Sequence, residues 1–318
     1  MERHDIVKWR WRFLSAILQR DVNFKEVVWL DETWVNAGHS VSKTWTDDSV
    51  QGSMKGPTGK GGRLIILYAG SSEGFIPGVA DIFRSKKTGD YHEEMNSDHF
   101  KEWFEFKLLQ NLKKPTVIVM DNGSYHSKIL DRAPTANSKK AEIISWLVNH
   151  GVPSANDTMR KVELMELVKL KKPSCTRYEI DTIAEHHGHR VIRLPPYHCH
   201  FNPIELIWAN VKGQVRRQNT SFTLGEVERL THKAIHNVSA AEWDKVVEHT
   251  KKVIQEAWKI DGLVETALDE IVISTAQKNH RVAKMKMVGE CVFISNKNNK
   301  KRSRSYSLLF FHRRNCNF

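Results

Sequence analysis

The sequence predicts a mixed α/β fold, in which a β-sheet with antiparallel and parallel strands is flanked by helices. Apolar runs typical of buried strands and apolar stripes at helical spacing occur in the order strand, strand, strand, helix, strand, insertion, strand, helix, helix. The first three strands suggest an antiparallel group, and the later strand–helix units are typical of parallel pairing. A chain of 318 residues is long enough for about two domains with a sizeable core.

The N-terminal elements of this prediction are one helix and three strands. Apolar residues at helical spacing predict a helix over residues 3–19. The segment EVVWLDETWVN predicts a buried strand, whose apolar run is interrupted by Asp31 and Glu32. The segments VSKTWTD (41–47) and RLIILYAGS (63–71) predict a second and a third strand, joined as a hairpin across a glycine-rich connection.

The remaining predicted elements alternate between helices and strands. The fourth strand ends its apolar run on Asp121. The last helix begins with Ser239 and Glu242 at the spacing of a capping box. In chain order, the elements are a helix over 98–112, strands over 115–127 and 189–197, a helix that begins at Pro203 and a helix over 239–258.

Composition restricts the class of protein. A hydrophobic fraction of 40% and a charged fraction of 27% are ordinary for a soluble globular protein. No apolar run is long enough to span a bilayer, so no membrane partner is expected. The N-terminus is too charged for a secretory signal. The four scattered cysteines lack CxxC spacing, which predicts free thiols in a reducing compartment rather than a disulfide framework or a zinc site.

The net charge of +12 is concentrated near the C-terminus. Residues 281–318 hold ten Lys/Arg and one acid, which is +9 and leaves +3 for residues 1–280. This polar, basic segment predicts a disordered tail over 263–318. Such a tail is typical of a nuclear address or of an arm that binds phosphates, and a solvated tail without a specific role is the alternative.

Three acidic residues from distant parts of the chain share one structural context. Asp31 and Asp121 each close an apolar strand run, and Glu205 lies one turn into a helix that begins just after another strand. Taken alone, Glu205 fits a capping box opened by Asn202 and Pro203. If the three carboxylates converge, they repel one another unless a cation lies between them, and hard oxygen ligands suit Mg²⁺ or Mn²⁺. Two such ions stabilise the attacking and the leaving oxygens of a phosphoryl displacement.

The segments VVWLDETWVN, VIVMDNGSYHS and RLPPYHCHFNPIELIWANVK resemble, in this order, the three acidic blocks of mariner-like DDE transposases. The resemblance covers about residues 20–260 and is most specific in the third block, with its Leu-Pro-Pro-Tyr and Asn-Pro-Ile-Glu. It implies an RNase H-like fold with a catalytic triad of Asp31, Asp121 and Glu205, which also binds two Mg²⁺ or Mn²⁺ ions. Glu32 is set aside, because the family motif places the acid directly after the apolar run.

The resemblance further implies a nuclear enzyme that acts on DNA. Its partners would be double-stranded DNA, both transposon ends and target, and hydrolysis of a phosphodiester would release a 3′-hydroxyl that then attacks the target. The sequence leaves open whether the chain forms a homodimer. Two alternatives stay open as well: a truncated or host-adopted remnant that binds DNA without cutting it, and an RNase H-type nuclease that acts on RNA–DNA hybrids.

The predicted domain organisation departs from the family pattern in two places. Asp121 and Glu205 lie 84 positions apart (205 − 121), and two predicted helices form an insertion between them. Its helix–loop–helix pattern is similar to DNA-binding units of the SAP type, with an extra packing module as the alternative. About thirty residues precede Asp31, too few for the helix-turn-helix region that such transposases carry ahead of the catalytic domain. The expected domains are a linker helix (1–20), an RNase H-like catalytic domain (21–126 and 189–262), a helical insertion (127–188) and the tail (263–318).

A glycine-rich loop and a histidine are candidates for contact with DNA. The loop KGPTGKGGR departs from the P-loop pattern, so Lys55, Lys60 and Arg63 are predicted to touch phosphates from a hairpin loop. His126 lies five residues after Asp121 and is a candidate for a place near the metal ions or the DNA, with a structural histidine as the alternative.

Two basic residues on the helix of Glu205 are also candidates for DNA contact. Lys212 and Arg216 follow Glu205 by seven and eleven residues and therefore share its helix face. They are predicted to bind the DNA backbone near the scissile phosphate, and an ordinary solvated basic face is the alternative.

Overall fold

The computed structural model describes residues 3–40, 59–85 and 95–262. The predicted strand over 41–47, its hairpin, Lys55 and the tail over 263–318 lie outside these residues. Cys175 and Cys199, the two cysteines within them, form no disulfide bond. None of the helices found in these three ranges combines the length and the apolar character needed to cross a membrane.

The centre of the fold is a mixed sheet of six strands. Strand β1 is central: it pairs antiparallel with β2 on one side and parallel with β5 on the other, and β6 continues the sheet parallel to β5. The far side of β2 pairs antiparallel with β3 and β4. The strands are β1 (Val28–Asn36), β2 (Arg63–Ser71), β3 (Gly74–Phe75), β4 (Asp81–Arg84), β5 (Val117–Met120) and β6 (Arg190–Arg193).

Eight α-helices accompany this sheet within the described ranges. One of them, α2, continues through a wide π-type turn and a short 3₁₀ turn as far as Asn111. The last, α8, begins with the predicted capping box, because Ser239 and Glu242 exchange hydrogen bonds. The helices are α1 (His4–Ile17), α2 (Ser97–Trp103), α3 (Lys140–Asn149), α4 (Lys161–Cys175), α5 (Glu179–His186), α6 (Ile204–Gln218), α7 (Leu224–Asn237) and α8 (240–262).

Both faces of the sheet are covered by helices. Phe75 of β3 contacts Trp208 of α6 and Trp243 of α8, with ring centroids 5.8 and 5.1 Å apart, so these helices share one face. On the other face, Phe100 of α2 packs against Tyr125 and belongs to the same buried core. The observed architecture therefore agrees with the predicted mixed sheet flanked by helices.

The strand that carries Asp31 was predicted over EVVWLDETWVN, and the structure confirms it as β1. Asp31 interrupts the apolar run, and β1 continues past it to Asn36, paired with β2 along that length. Asp31 and Glu32 point to opposite faces of the strand, because successive side chains of a strand alternate. The strand predicted over 115–127 is shorter than expected: β5 spans Val117–Met120 and ends directly before Asp121.

The insertion contains a second, smaller hydrophobic core. Five buried residues of helices α3 and α4 and one from the segment between the helices, Ala155, form it: Ile143, Trp146, Leu147, Ala155, Leu164 and Val168. The chain enters and leaves this unit through a short antiparallel bridge, in which Ile129 pairs with Tyr178. Helix α5 lies within the predicted 127–188 insertion, but its Ile180 and Ala184 belong to the main core. The separately packed segment is therefore shorter than the predicted insertion.

Candidate active site

The strand register brings Asp31 and Asp121 to the same level of the sheet. In the parallel pair β1–β5, Val28 lies opposite Ile118 and Trp29 lies opposite Val119. Continuing this register past the end of β5 places Asp121 level with Asp31 on neighbouring chain segments, which are about 4.8 Å apart in a sheet. The apolar residues of both strands therefore fix the spacing of the two acids.

Helix α6 brings Glu205 to the same place. Asn202, just before this helix, is buried and donates a hydrogen bond from Nδ2 to the backbone oxygen of Leu30, at 3.2 Å. This contact holds the first turn of α6 against the residue that precedes Asp31. Among the described residues, no side chain caps the start of α6, so the capping interpretation of Glu205 finds no support in the structure.

The charges of the three carboxylates interact. Burial raises the pKa of Asp31 well above its usual range, and the charges of Glu205, Glu32 and Asp121 raise it further. Burial also raises the pKa of Glu205, which Lys212 opposes and Asp121 reinforces. The negative charges of Glu205 and Asp121 thus act on Asp31, and a cation between the three carboxylates would relieve this repulsion.

The donor set fits a hard divalent cation. Carboxylate oxygens are the ligands that Mg²⁺ and Mn²⁺ prefer, and a cation between them would relieve the repulsion that raises the pKa of Asp31. Within the described ranges, no group of three or more His, Cys, Asp or Glu side chains is already gathered as a metal cage. The backbone thus brings the three acids together, while their side chains are not drawn in around one point.

A buried network of side-chain hydrogen bonds supports the carboxylate of Asp121. His126 donates from Nδ1 to Oδ1 of Asp121 at 2.6 Å and from Nε2 to Oε1 of Glu32 at 2.9 Å. Tyr125 donates its hydroxyl to Oε2 of Glu32 at 3.1 Å. The His126 and Glu32 side chains are only 1% and 2% exposed, whereas that of Asp121 is 49% exposed. The predicted DNA contact of His126 is therefore wrong, because a ring this deeply buried cannot reach a bound duplex.

These hydrogen bonds also set the charge states of His126 and Asp121. Burial alone would lower the pKa of His126, but the charge of Glu32 and the hydrogen bonds to both carboxylates raise it to about 9. Burial alone would raise the pKa of Asp121, but the hydrogen bond from His126 and its charge lower it below its usual value. Asp121 is consequently held as a carboxylate at neutral pH.

A basic surface lies beyond Asp31 along β1 and α6. Lys212 Nζ and Arg63 Cζ lie 5.3 and 5.8 Å from the ring centroid of Trp34, close enough for cation–π contact. Burial lowers the pKa of His39, and the charges of Arg216 and Lys212 lower it further. We call this region the Trp34 surface; it comprises Trp34, His39, Lys60, Arg63, Lys212 and Arg216.

The Trp34 surface unites four of the six predicted DNA-contact residues. Lys60 is exposed, and its backbone oxygen accepts a hydrogen bond from Gly38 at the end of β1. Arg216 is also exposed, whereas Lys212 is half-buried and its pKa is lowered by burial against the opposing pull of Glu205 and Asp31. Lys212 therefore links Glu205 and Asp31 to the rest of the Trp34 surface.

Sequence reasoning missed Glu32, Tyr125 and Asn202 as parts of the site. The alternation of side chains along β1 shows that Asp31 and Glu32 face opposite ways, which is a usable signal. Their partners come from other elements, and nothing local in the sequence identifies them. Asn202 was identified only as a helix start, because the hydrogen bond to Leu30 spans 172 positions.

The chain matches known proteins in sequence and in fold. Residues 26–228 match the family of DDE superfamily endonucleases. The fold is similar to the Mos1 mariner paired-end complex with Mn (TM-score 0.52, 12% identity) and to the Mos1 transposase paired-end complex with left transposon end (TM-score 0.53, 12% identity). In both comparisons the match covers 82% of this chain and 64% of the Mos1 chain, so the chain spans about two thirds of the length of these relatives.

The sequence match runs through Asp31, Asp121 and Glu205, and covers well over half of the chain. The fold match adds the mixed sheet with helices on both faces, which is an RNase H-like fold. The chain therefore belongs to the DDE superfamily endonucleases and has the fold of a mariner-like DDE transposase catalytic domain.

Proposed function

We propose that this chain cuts and joins DNA strands as a transposase does, with Asp31, Asp121 and Glu205 as its catalytic residues. The observation that carries the proposal is the convergence of these three acids: the register of β1 and β5 sets Asp121 level with Asp31, and the Asn202–Leu30 hydrogen bond holds the first turn of α6, with Glu205, beside them. The membership of the DDE superfamily endonucleases supports it, because the match includes all three positions.

The three acids would hold two Mg²⁺ or Mn²⁺ ions. Asp31 and Asp121, which are level in the sheet, would flank the ions together, and Glu205 would bind the second one from α6. When bound, such ions stabilise the charge that develops on both oxygens of an in-line phosphoryl displacement. The chain's own part is to place the carboxylates through the strand register and the Asn202–Leu30 contact, and to keep Asp121 ionised.

The Trp34 surface would bind the DNA backbone next to the three acids. Its cations suit phosphates, and one of them, Lys212, also interacts with Glu205, beside which a scissile phosphate would lie. The Mos1 relatives are complexes with transposon ends and a strand transfer complex, which supports double-stranded DNA as the partner here. We propose a nuclear site of action and transposon ends and target DNA as the substrates.

The test is Mn²⁺-dependent nicking of supercoiled plasmid by the full chain. Wild type is compared with Asp31→Asn, Asp121→Asn and Glu205→Gln, and Asp98→Asn serves as the control because its side chain is 87% exposed on α2. We expect nicking by wild type and by the control, and none above the buffer level by the three site variants.

Other results would contradict the proposal. Absence of nicking by a folded wild type that still binds DNA would indicate a DNA-binding protein without catalysis. Nicking retained by Glu205→Gln alone would remove Glu205 from the catalytic residues. Cleavage of RNA–DNA hybrids without cleavage of duplex DNA would indicate an RNase H-type nuclease instead.

A further inference from the structure

We propose that His126 is a positioning residue, which fixes the carboxylate of Asp121 for cation binding by tying it to the buried Glu32. This inference rests on the proposed function, in which Asp121 is a metal ligand. His126 itself touches neither DNA nor the cation in this account, because its ring is 1% exposed.

The geometry makes His126 a bridge between a partly exposed acid and a buried one. Its two ring nitrogens lie 2.6 Å from Oδ1 of Asp121 and 2.9 Å from Oε1 of Glu32. Oδ1 of Asp121 also accepts a hydrogen bond from the backbone of Gly123, at 2.9 Å. Both described donors meet Oδ1, so Oδ2 is the oxygen that is left for a cation.

The ring of His126 is held rigidly from several sides. Phe100 and Tyr125 pack against it with ring centroids 4.1 and 4.4 Å away. Arg193 donates to the backbone oxygen of His126 at 2.9 Å, and is itself anchored by a 2.7 Å ion pair with Asp181. A ligand carboxylate whose support is this constrained cannot rotate freely, which is how outer partners orient metal ligands.

The burial of Glu32 argues for a specific role of the bridge. An acid buried in a protein core is strongly destabilising unless it is paired and hydrogen-bonded. Glu32 meets both needs only through His126 and Tyr125 among its described contacts. An apolar residue at this position would fill the core without that requirement, whereas Glu32 gives His126 a fixed partner behind Asp121.

The experiment compares two variants that each keep one half of the bridge. The amide of Asn overlies Nδ1 of a histidine and that of Gln overlies Nε2, so His126→Asn keeps a donor to Asp121 and His126→Gln keeps a donor to Glu32. Mn²⁺ affinity is measured from the free-ion EPR signal, and folding from thermal unfolding. His189→Gln is the matched control, because His189 is a buried histidine in another part of the fold, which accepts from Thr116.

We expect His126→Gln to weaken Mn²⁺ binding about 10- to 100-fold, as is usual when a partner behind a metal ligand is lost. His126→Asn should recover a substantial part of that loss, and His189→Gln should bind Mn²⁺ as wild type does. Equal Mn²⁺ affinity in folded wild type and folded His126→Gln would overturn the inference.

A measurement without metal separates this inference from the proposed function. In wild type, imidazole N–H protons shared with carboxylates give strongly downfield proton NMR signals, which we expect to vanish in His126→Gln and to shift in Asp121→Asn. Absence of these signals in wild type means that the bridge does not exist. Downfield signals in a wild type that binds no Mn²⁺ and nicks no DNA would confirm the bridge, but would refute the proposed function and the positioning role with it.

Discussion

Two neighbouring acids in β1 have different surroundings because of the geometry of a strand. Asp31 faces α6, where it interacts with Glu205, while Glu32 faces the core and bonds to His126. The sequence motif favoured Asp31 over Glu32 as the candidate site residue. It could not reveal the place of Glu32, because the buried partners of that acid lie more than ninety positions away.

Gly70 in β2 is the residue most directly fixed by packing. A Cβ atom at this position would lie 2.3 to 2.9 Å from ring atoms of Trp243, so the indole of α8 rests on the bare backbone of the strand. Gly70→Ala should destabilise the fold by about 1–3 kcal/mol through overpacking, as measured by urea unfolding. Gly213→Ala in α6, where the nearest contact is a flexible arginine at 3.5 Å, should stabilise by up to about 1 kcal/mol. An unchanged free energy of unfolding in Gly70→Ala would show that Trp243 does not pack on this residue.

At the scale of elements, α6 and β1 are matched in length and joined at both ends. Asn202 bonds to Leu30 at one end, and Asn219 bonds to the backbone oxygens of Ala37 and His39 at the other. From Asn202 to Asn219 a helix rises about 25 Å, and from Leu30 to Ala37 a strand rises about 23 Å. The sequence predicted both elements, but not their alignment, because each joining contact spans more than 170 positions.

The two asparagines provide a matched pair of variants. Asn202→Ala and Asn219→Ala should each lower the free energy of unfolding by about 1–3 kcal/mol, because each removes side-chain hydrogen bonds to the backbone of β1 or of the residues that follow it. Asn202 lies one turn from Glu205, so Asn202→Ala should also slow nicking at saturating DNA much more than Asn219→Ala does. Equal nicking by the two variants, with both fully folded, would show that this contact does not position Glu205.

The Trp34 surface is the element-level candidate for DNA binding. Arg216→Gln and Lys60→Gln should each weaken DNA binding and lower the slope of log affinity against log salt by about one unit, because each removes one phosphate contact. Lys252→Gln, an exposed lysine of α8, is the control and should leave the slope unchanged. Fluorescence anisotropy over a series of salt concentrations measures the DNA affinity and hence the slope. Unchanged slopes in both surface variants would show that DNA does not bind at the Trp34 surface.

At the scale of the whole molecule, the insertion is a separately packed unit, joined to the main core by one short antiparallel pair of segments, 128–130 and 177–179. The amide of Leu130 donates to Arg177 at 3.0 Å and that of Glu179 donates to Lys128 at 2.9 Å, so the chain enters and leaves at one point. The sequence predicted two helices here, because their apolar spacing is local. It could not show that α5 belongs to the main core, since only the folded sheet provides the surface against which Ile180 packs.

Because both of its ends meet at this antiparallel pair, we expect that the insertion can be deleted without unfolding the main core. Replacing residues 131–176 with an Asn-Gly turn should leave the main core folded, because a two-residue turn closes an antiparallel pair and the insertion has its own core. The shortened chain should keep the unfolding temperature of the main domain within a few degrees, as measured by calorimetry. Loss of a cooperative transition would show that the main core depends on the insertion.

Fe²⁺-directed cleavage of the backbone tests whether Asp31, Asp121 and Glu205 hold divalent ions together, as we propose. Fe²⁺ that occupies a Mg²⁺ site generates hydroxyl radicals in the presence of ascorbate and peroxide, and these cut the nearest polypeptide segments. We expect cuts near residues 31, 121 and 205 together, which excess Mg²⁺ suppresses and which are absent from Asp31→Asn. Cuts near only one of these positions, or cuts that Mg²⁺ does not suppress, would contradict the proposal.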